Sequence, residues 1–166
     1  MSTHIATAPT DLKLDPPPRL ALIVSRFNPV VTGGLRDGAL GWLKAHGIEN
    51  VDIYEAPGAF EMPLMAKRLI RLGRYEGVIC LGCVIKGDTA HFEYISLGAT
   101  MGLMETMLGA ETPVAFGILT TYTEEQALVR SRNDAANKGW EASAACVETV
   151  AFMRATRLPD PGHISC

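Results

Sequence analysis

The run Gly82-Cys83-Val84-Ile85-Lys86-Gly87-Asp88-Thr89-Ala90-His91 holds most of what could do chemistry in this chain. It follows the apolar residues Gly77 to Leu81, so a strand that reads as buried empties into a cation, a carboxylate, a hydroxyl and an imidazole. Cores do not need such residues, whereas ligand sites at strand ends do. The spacing nearly fits the G-x-x-x-x-G-K-[ST] phosphate loop. Asp88, however, stands where the lysine belongs, and its carboxylate would repel nucleotide phosphates. A glycine turn that opens a helix still offers free backbone N–H groups to one small phosphate. Asp88 and Thr89 would present them, and either also suits an ordinary helix N-cap. His91 falls in the first turn of the expected helix, where the positive end of the dipole disfavours a second positive charge. A neutral imidazole there can take a proton and return it, often worth ~10²–10⁴ in rate.

The other strand-end loops carry candidates of their own. In Ser25-Arg26-Phe27-Asn28-Pro29, the Phe27 ring sits where it could stack on a planar ligand or cap the core. In Glu55-Ala56-Pro57-Gly58-Ala59-Phe60-Glu61, Pro57-Gly58 marks a turn, and Gly58 lets backbone approach a ligand closely. Glu61 lies in the first turn of the next helix, where a carboxylate either caps or binds. Phe116-Gly117 belongs to the fourth strand region, and the cations Arg130, Arg132 and Lys138 come later. Spacing alone does not place those cations. His4, His46 and His163 need no function: two lie near the termini and one ends a helix.

The elements that must position these residues alternate. Strands are expected at Leu20 to Ser25, Val51 to Tyr54, Gly77 to Cys83 and Val114 to Thr120. Helices are expected at Val30 to His46, Ala59 to Leu72, Thr89 to Leu108, Glu124 to about Arg130, and Asn137 to about Arg157. Gly47, Gly73 and Gly109 are their expected stops. Such βα alternation implies an α/β fold with a parallel sheet covered by helices on both faces. Ligands of such sheets bind outside the carboxyl ends of the strands. The third helix carries two apolar stripes, Phe92, Ile95, Ala99 and Leu103 on one side and Leu97, Met101, Met104 and Leu108 on another. A helix that covers a sheet needs one stripe, so the second is expected to pack against another subunit.

The 166 residues suit one domain (19–157), with a polar, proline-rich arm before it (1–18) and a loose tail after it (158–166). A net charge of -3 without a basic stripe excludes a nucleic-acid partner. No apolar run reaches membrane-spanning length, and the first residues do not read as a secretory leader, so the cytoplasm is expected. Cys80, Cys83, Cys146 and Cys166 do not form a disulfide framework. Cys80 and Cys83 match C-x-x-C, but positions three apart on a strand face opposite ways, which disfavours a redox pair. No cluster has metal-ligand spacing.

Together these loops resemble the lumazine synthases of riboflavin biosynthesis, from about Leu20 to Met153. The resemblance rests on Arg26-Phe27-Asn28, Pro57-Gly58-Ala59-Phe60-Glu61, Gly82-Cys83-Val84-Ile85-Lys86-Gly87 with His91, Phe116-Gly117 and Asn137-Lys138-Gly139. It implies a flavodoxin-like three-layer sandwich with a four-stranded parallel sheet. It also implies condensation of 5-amino-6-(D-ribitylamino)uracil with 3,4-dihydroxy-2-butanone 4-phosphate, without metal or organic cofactor. Carried over, Phe27 would stack on the pyrimidine. Ala59, Phe60 and Glu61 would hold the ribityl chain, and the backbone of Cys83, Val84 and Ile85 would meet the uracil edge. Asp88 and Thr89 would bind phosphate through backbone N–H groups, and His91 would shuttle protons, with Glu93 helping to orient it. A neighbouring subunit would supply Phe116, Arg130 and Lys138. The resemblance implies a pentamer or an assembly of pentamers, with riboflavin synthase as a further partner. Lys86 replaces a common arginine, and Ser131 to Ala136 differs from a glycine-containing stretch that influences shell formation.

Three alternatives make different demands. A scaffold or shell paralogue would have lost ligand binding. A flavin- or lumazine-binding module would hold a chromophore without turnover. A phosphate-binding regulatory domain would take phosphate but not the pyrimidine.

Overall fold

The computed structural model describes residues 12–157. Nine elements follow in order. They are β1 (Leu20–Ser25), α1 (Pro29–Ala45), β2 (Val51–Ala56), α2 (Met62–Ile70), β3 (Gly77–Ile85), α3 (His91–Ala110), β4 (Val114–Thr121), α4 (Glu124–Val129) and α5 (Lys138–Ala155). The four strands form one parallel sheet in the order β2-β1-β3-β4. This is the expected α/β architecture.

Strand alternation divides the core in two. Leu20, Leu22 and Val24 of β1, with Ile79, Leu81 and Cys83 of β3, face α1 and α5. Ala21 and Ile23, with Val78 and Cys80, face α2 and α3. Burial on both faces explains why β1 reads as an unbroken apolar run rather than an alternating one. Cys80 and Cys83 therefore point into opposite layers, and no C-x-x-C redox pair exists. Burial pushes the Cys83 thiol up to about 11 and Cys146 up to about 12.

The boundaries depart from expectation where local chemistry overrides periodicity. Helix α2 begins at Met62 rather than Ala59, with Pro63 in its first turn. Helix α3 begins at His91 rather than Thr89, and neither Asp88 nor Thr89 is its N-cap, which is Ala90. Gly109 stays inside α3, and the left-handed residue that closes it is Glu111 (φ 48°). Strand β3 runs two residues past Cys83, because Val84 and Ile85 pair with Thr120 and Thr121 of β4. Gly47 and Gly73 do take the positive φ expected of helix stops.

Of the residues assigned to the N-terminal arm, Leu12 and Leu14 lie against the core. The Pro16 carbonyl accepts from Arg154 at 2.7 Å. Residues 1–11 of that arm, the tail from Leu158, and with them His4, His163 and Cys166, lie outside the described residues.

The sheet order places a topological switch between β1 and β3, since the chain leaves β1 toward β2 and later passes from β3 to β4 on the other side. The carboxyl ends of β1 and β3 diverge there and open a crevice.

Candidate functional site

The crevice is a cavity of about 350 Å³ at the switch point. Three loops build it. The β1–α1 turn supplies Phe27 and Asn28, the β2–α2 turn supplies Gly58, Ala59, Phe60 and Glu61, and the end of β3 with α3 supplies Cys83, Val84, Ile85, His91 and Ile95. Gly58 lies close to both neighbouring side chains: a Cβ there would stand 3.1 Å from Glu61 Oε2 and 3.5 Å from the Phe27 ring. Phe60 lies on Gly98 of α3, where a Cβ would fall 2.8 Å from its ring. Phe27 and Phe60 are 67% and 57% exposed, so each has a free aromatic surface beside the cavity. Cys83 is buried, and its raised thiol pKa rules it out as a nucleophile near neutral pH. In β3 the N–H groups of Val78 and Lys86 point toward β4. By alternation Ile85 points its N–H and C=O the other way, past the end of β1 and along the crevice.

His91 is the first residue of α3 and is exposed at the mouth of the cavity. Its backbone N–H donates to Thr89 Oγ1 at 3.4 Å. Glu93 makes no hydrogen bond to it. The Glu93 carboxylate lies 3.3 Å from Lys86 Nζ, and Lys86 in turn sits over the Tyr122 ring at 5.4 Å. A hydrogen bond from its own backbone N–H, then the Lys86 ammonium, hold Glu93 below the usual carboxylate range. The i and i+2 spacing on a helix keeps Glu93 and His91 on different sides. Asp88 and Thr89 are exposed just beyond the cavity lining.

Phe116, Arg130 and Lys138 lie elsewhere. They line a second cavity of about 400 Å³ between β4, the α4–α5 loop and α5. Phe116 is 43% exposed there. Arg130 donates from Nη1 to the Gln126 carbonyl at 2.8 Å, and its own carbonyl accepts from the Lys138 N–H at 2.9 Å. The Lys138 ammonium lies 2.7 Å from both Glu141 carboxylate oxygens. Thus two cations and one aromatic ring stand ready on a face that does not join the first cavity within one chain.

One buried residue holds this second group. Asn137 Nδ2 donates to the carbonyls of Gly34, Ser131 and Arg132, at 3.0, 3.1 and 2.8 Å. Its Oδ1 accepts from the N–H groups of Gly139 and Trp140, which caps α5. The loop bearing Arg130 and Lys138 is thereby tied to α1.

Sequence reasoning missed Asn28 and Ile95 as lining residues. Ile95 reads as plain core stripe. Asn28 precedes a proline and looks like a simple turn residue, although its tolerance of left-handed backbone is a usable signal. A larger cavity of about 860 Å³ lies at the opposite, amino ends of the strands, beside Tyr75, Glu76, Pro113 and Arg154. None of the candidate site residues reaches it.

Among the described residues, no His, Cys, Asp and Glu group is arranged to hold a metal ion, and no helix is long and apolar enough to cross a membrane.

The sequence pattern of the family described as 6,7-dimethyl-8-ribityllumazine synthase matches residues 17–154. A relative from Caulobacter vibrioides, 6,7-dimethyl-8-ribityllumazine synthase 1, is 62% identical over 143 residues, covering 85% of this chain and 94% of its own length. The 6,7-dimethyl-8-ribityllumazine synthase of Salinibacter ruber is 47% identical, covering 81% of this chain and 88% of its own. That of Syntrophus aciditrophicus is also 47% identical, over 82% and 90%.

Proposed function

The chain belongs to the 6,7-dimethyl-8-ribityllumazine synthase family, and from that premise we propose how its residues divide the work. The reaction condenses 5-amino-6-(D-ribitylamino)uracil with 3,4-dihydroxy-2-butanone 4-phosphate, giving the lumazine, phosphate and water; it is the penultimate step of riboflavin biosynthesis. The observation that carries the proposal is the gathering of Phe27, Glu61, Cys83 to Ile85 and His91 around one cavity.

In that cavity the pyrimidine stacks on Phe27, and its polar edge meets the β3 backbone from Cys83 to Ile85. The ribityl chain runs along Ala59 and Phe60, with Glu61 accepting from a hydroxyl. The phosphate of the second substrate takes N–H groups of Asp88 and Thr89 at the start of α3, where the dipole favours an anion. Amine attack on the ketone, phosphate elimination and ring closure each move a proton, and His91 stands at the cavity mouth to accept and return it. Holding two substrates in register contributes several kcal/mol by itself, about 7 in the better-oriented cases.

The separate cation face completes the site across a subunit boundary. Phe116, Arg130 and Lys138 of one chain face the cavity of the next, and the cations balance the phosphate charge. Two features support such an assembly. Arg130 lines the second cavity without a carboxylate partner among the described residues, and Leu97, Met101, Met104 and Leu108 form an exposed apolar face on α3. We assign this face to the centre of a homopentamer, which can stand alone or build larger assemblies. The synthase domain is taken as residues 19–157 and the protein as cytoplasmic. Riboflavin synthase, which consumes the product, is the partner enzyme.

Complementation tests the shared site. His91→Ala and Arg130→Ala proteins, each weakly active, are unfolded together and reassembled at equal ratio. In a closed ring, each site pairs one chain with its neighbour, so roughly one quarter of the sites regain both residues. Recovery near a quarter of wild-type activity is expected. No recovery, with intact oligomers, would place both residues in one chain's site.

A further inference from the structure

We propose that Asn28 is a positioning residue for the condensation. It fixes the distance between the Phe27 turn and the substrate-facing edge of β3. The inference rests on the functional assignment above and adds a residue that touches no reacting atom.

The argument starts from the parallel ladder. Strands β1 and β3 pair from Leu20 with Gly77 up to Val24 with Leu81, and there the pairing ends. One step further, the Phe27 N–H would bond the Cys83 carbonyl. It does not, because the chain turns and the Phe27 N–H donates to Ser25 Oγ at 3.2 Å. The partly buried Cys83 carbonyl would be left without its ladder donor at the wall of the cavity. Asn28 supplies it instead, with Nδ2 donating to the Cys83 oxygen at 3.0 Å, 55 residues away in sequence.

The backbone is bent to make this possible. Asn28 has φ 53° and ψ 61°, left-handed geometry that few residues other than glycine adopt readily. Its carbonyl accepts from Val31 and Thr32, both at 3.0 Å, and so starts α1. One residue therefore ends β1, starts α1 and ties both to β3. Phe27 precedes it, and Cys83, Val84 and Ile85 lie across the bond. The slot between the ring and the β3 edge, where a flat heterocycle would lie, has this amide as its hinge pin. An acceptor such as a carbonyl requires the amide nitrogen on its side, so the orientation of the amide is determined by its partner.

Two variants separate the amide from the backbone. Asn28→Gly keeps the left-handed turn and removes the donor. Asn28→Asp keeps the shape and tolerates the turn, but places an acceptor against the Cys83 oxygen. Steady-state kinetics are run with each substrate varied in turn, alongside circular dichroism and thermal melting. Both variants are expected to raise KM for the ribitylaminouracil roughly fivefold to tenfold, the scale of one lost hydrogen bond. KM for the butanone phosphate should stay within about twofold, since that substrate's anchors lie beyond the slot. An unchanged pyrimidine KM in both variants would overturn the proposal. So would a rise of both KM values in step with a lowered melting temperature, which marks a purely structural role. Wild-type protein without turnover is a different failure: it would remove the functional assignment itself, and this inference with it.

Discussion

Removing the Asn137 side chain should loosen the loop that bears Arg130 and Lys138 by an amount that can be worked from its bonds. Asn137→Ala deletes the cap on α5, for which the usual loss is about 1 kcal/mol. It also strips donors from three carbonyls, of which the Ser131 bond is buried and the Gly34 and Arg132 bonds are partly buried. A buried acceptor left unpaired costs about 1–3 kcal/mol, while the two partly buried ones can recover water. The expected loss is therefore about 2–4 kcal/mol. The residue of α1 that faces the vacated space is Gly38, which has no side chain to fill it. Asn137→Ser keeps an oxygen for the cap and loses only the donors, so it should cost about 1 kcal/mol less than the alanine variant. Urea unfolding at one fixed protein concentration measures both, since oligomer stability depends on concentration. The loop bearing Arg130 and Lys138 hangs from this residue, so KM for the butanone phosphate should rise more than KM for the pyrimidine. An alanine variant within about 1 kcal/mol of wild type, with both KM values unchanged, would refute the reasoning.

Three further outcomes follow from other parts of the molecule. Cys80, Cys83 and Cys146 are buried with raised pKa values, so alkylation of the folded protein at pH 8 should leave the peptides carrying them unmodified, and denaturation should expose all three. Met101→Glu places a charge in the exposed apolar face of α3. It should dissociate the oligomer, read by analytical ultracentrifugation, and lower activity with it, while the monomer keeps its circular dichroism spectrum. The Arg154 hydrogen bonds hold Glu76 below its ordinary value of 4.5, so their stabilisation is present above that pH and is lost as pH falls through the lowered value. Glu76→Gln should flatten the acid limb of the stability curve, by less than about 1 kcal/mol because the pair is partly exposed to solvent.

Periodicity made the layers legible, and local chemistry hid the details. The apolar run Leu20 to Val24, closed by Ser25, located β1 to the residue, because burial on both faces leaves only its last position polar. Helix α3 reads as carrying two apolar stripes, and the second, Leu97, Met101, Met104 and Leu108, is exposed in the single chain. Where a glycine looked like a stop, as at Gly109, the helix ran on to a left-handed Glu111, an ending that sequence seldom signals. The candidate site was visible as three loops at the strand ends, but which residues share a cavity was not. Phe116, Arg130 and Lys138 fall in a separate cavity because β4 lies on the far side of β3 from the crevice. Asn28 and Asn137 were hidden for a common reason. Each bonds backbone carbonyls that only the tertiary fold brings near, and no spacing rule predicts a partner 55 or 103 residues away.

The most direct test mixes purified protein with both substrates and follows the absorbance and fluorescence of the lumazine. The uncatalysed condensation serves as the baseline, with His91→Ala run beside the wild type. Product formation well above the baseline, slowed by roughly 10²-fold or less in the variant because orientation survives without the imidazole, is the expected result. Wild-type protein that forms the intact oligomer yet leaves the rate at the baseline would contradict the assignment of this cavity as the catalytic site.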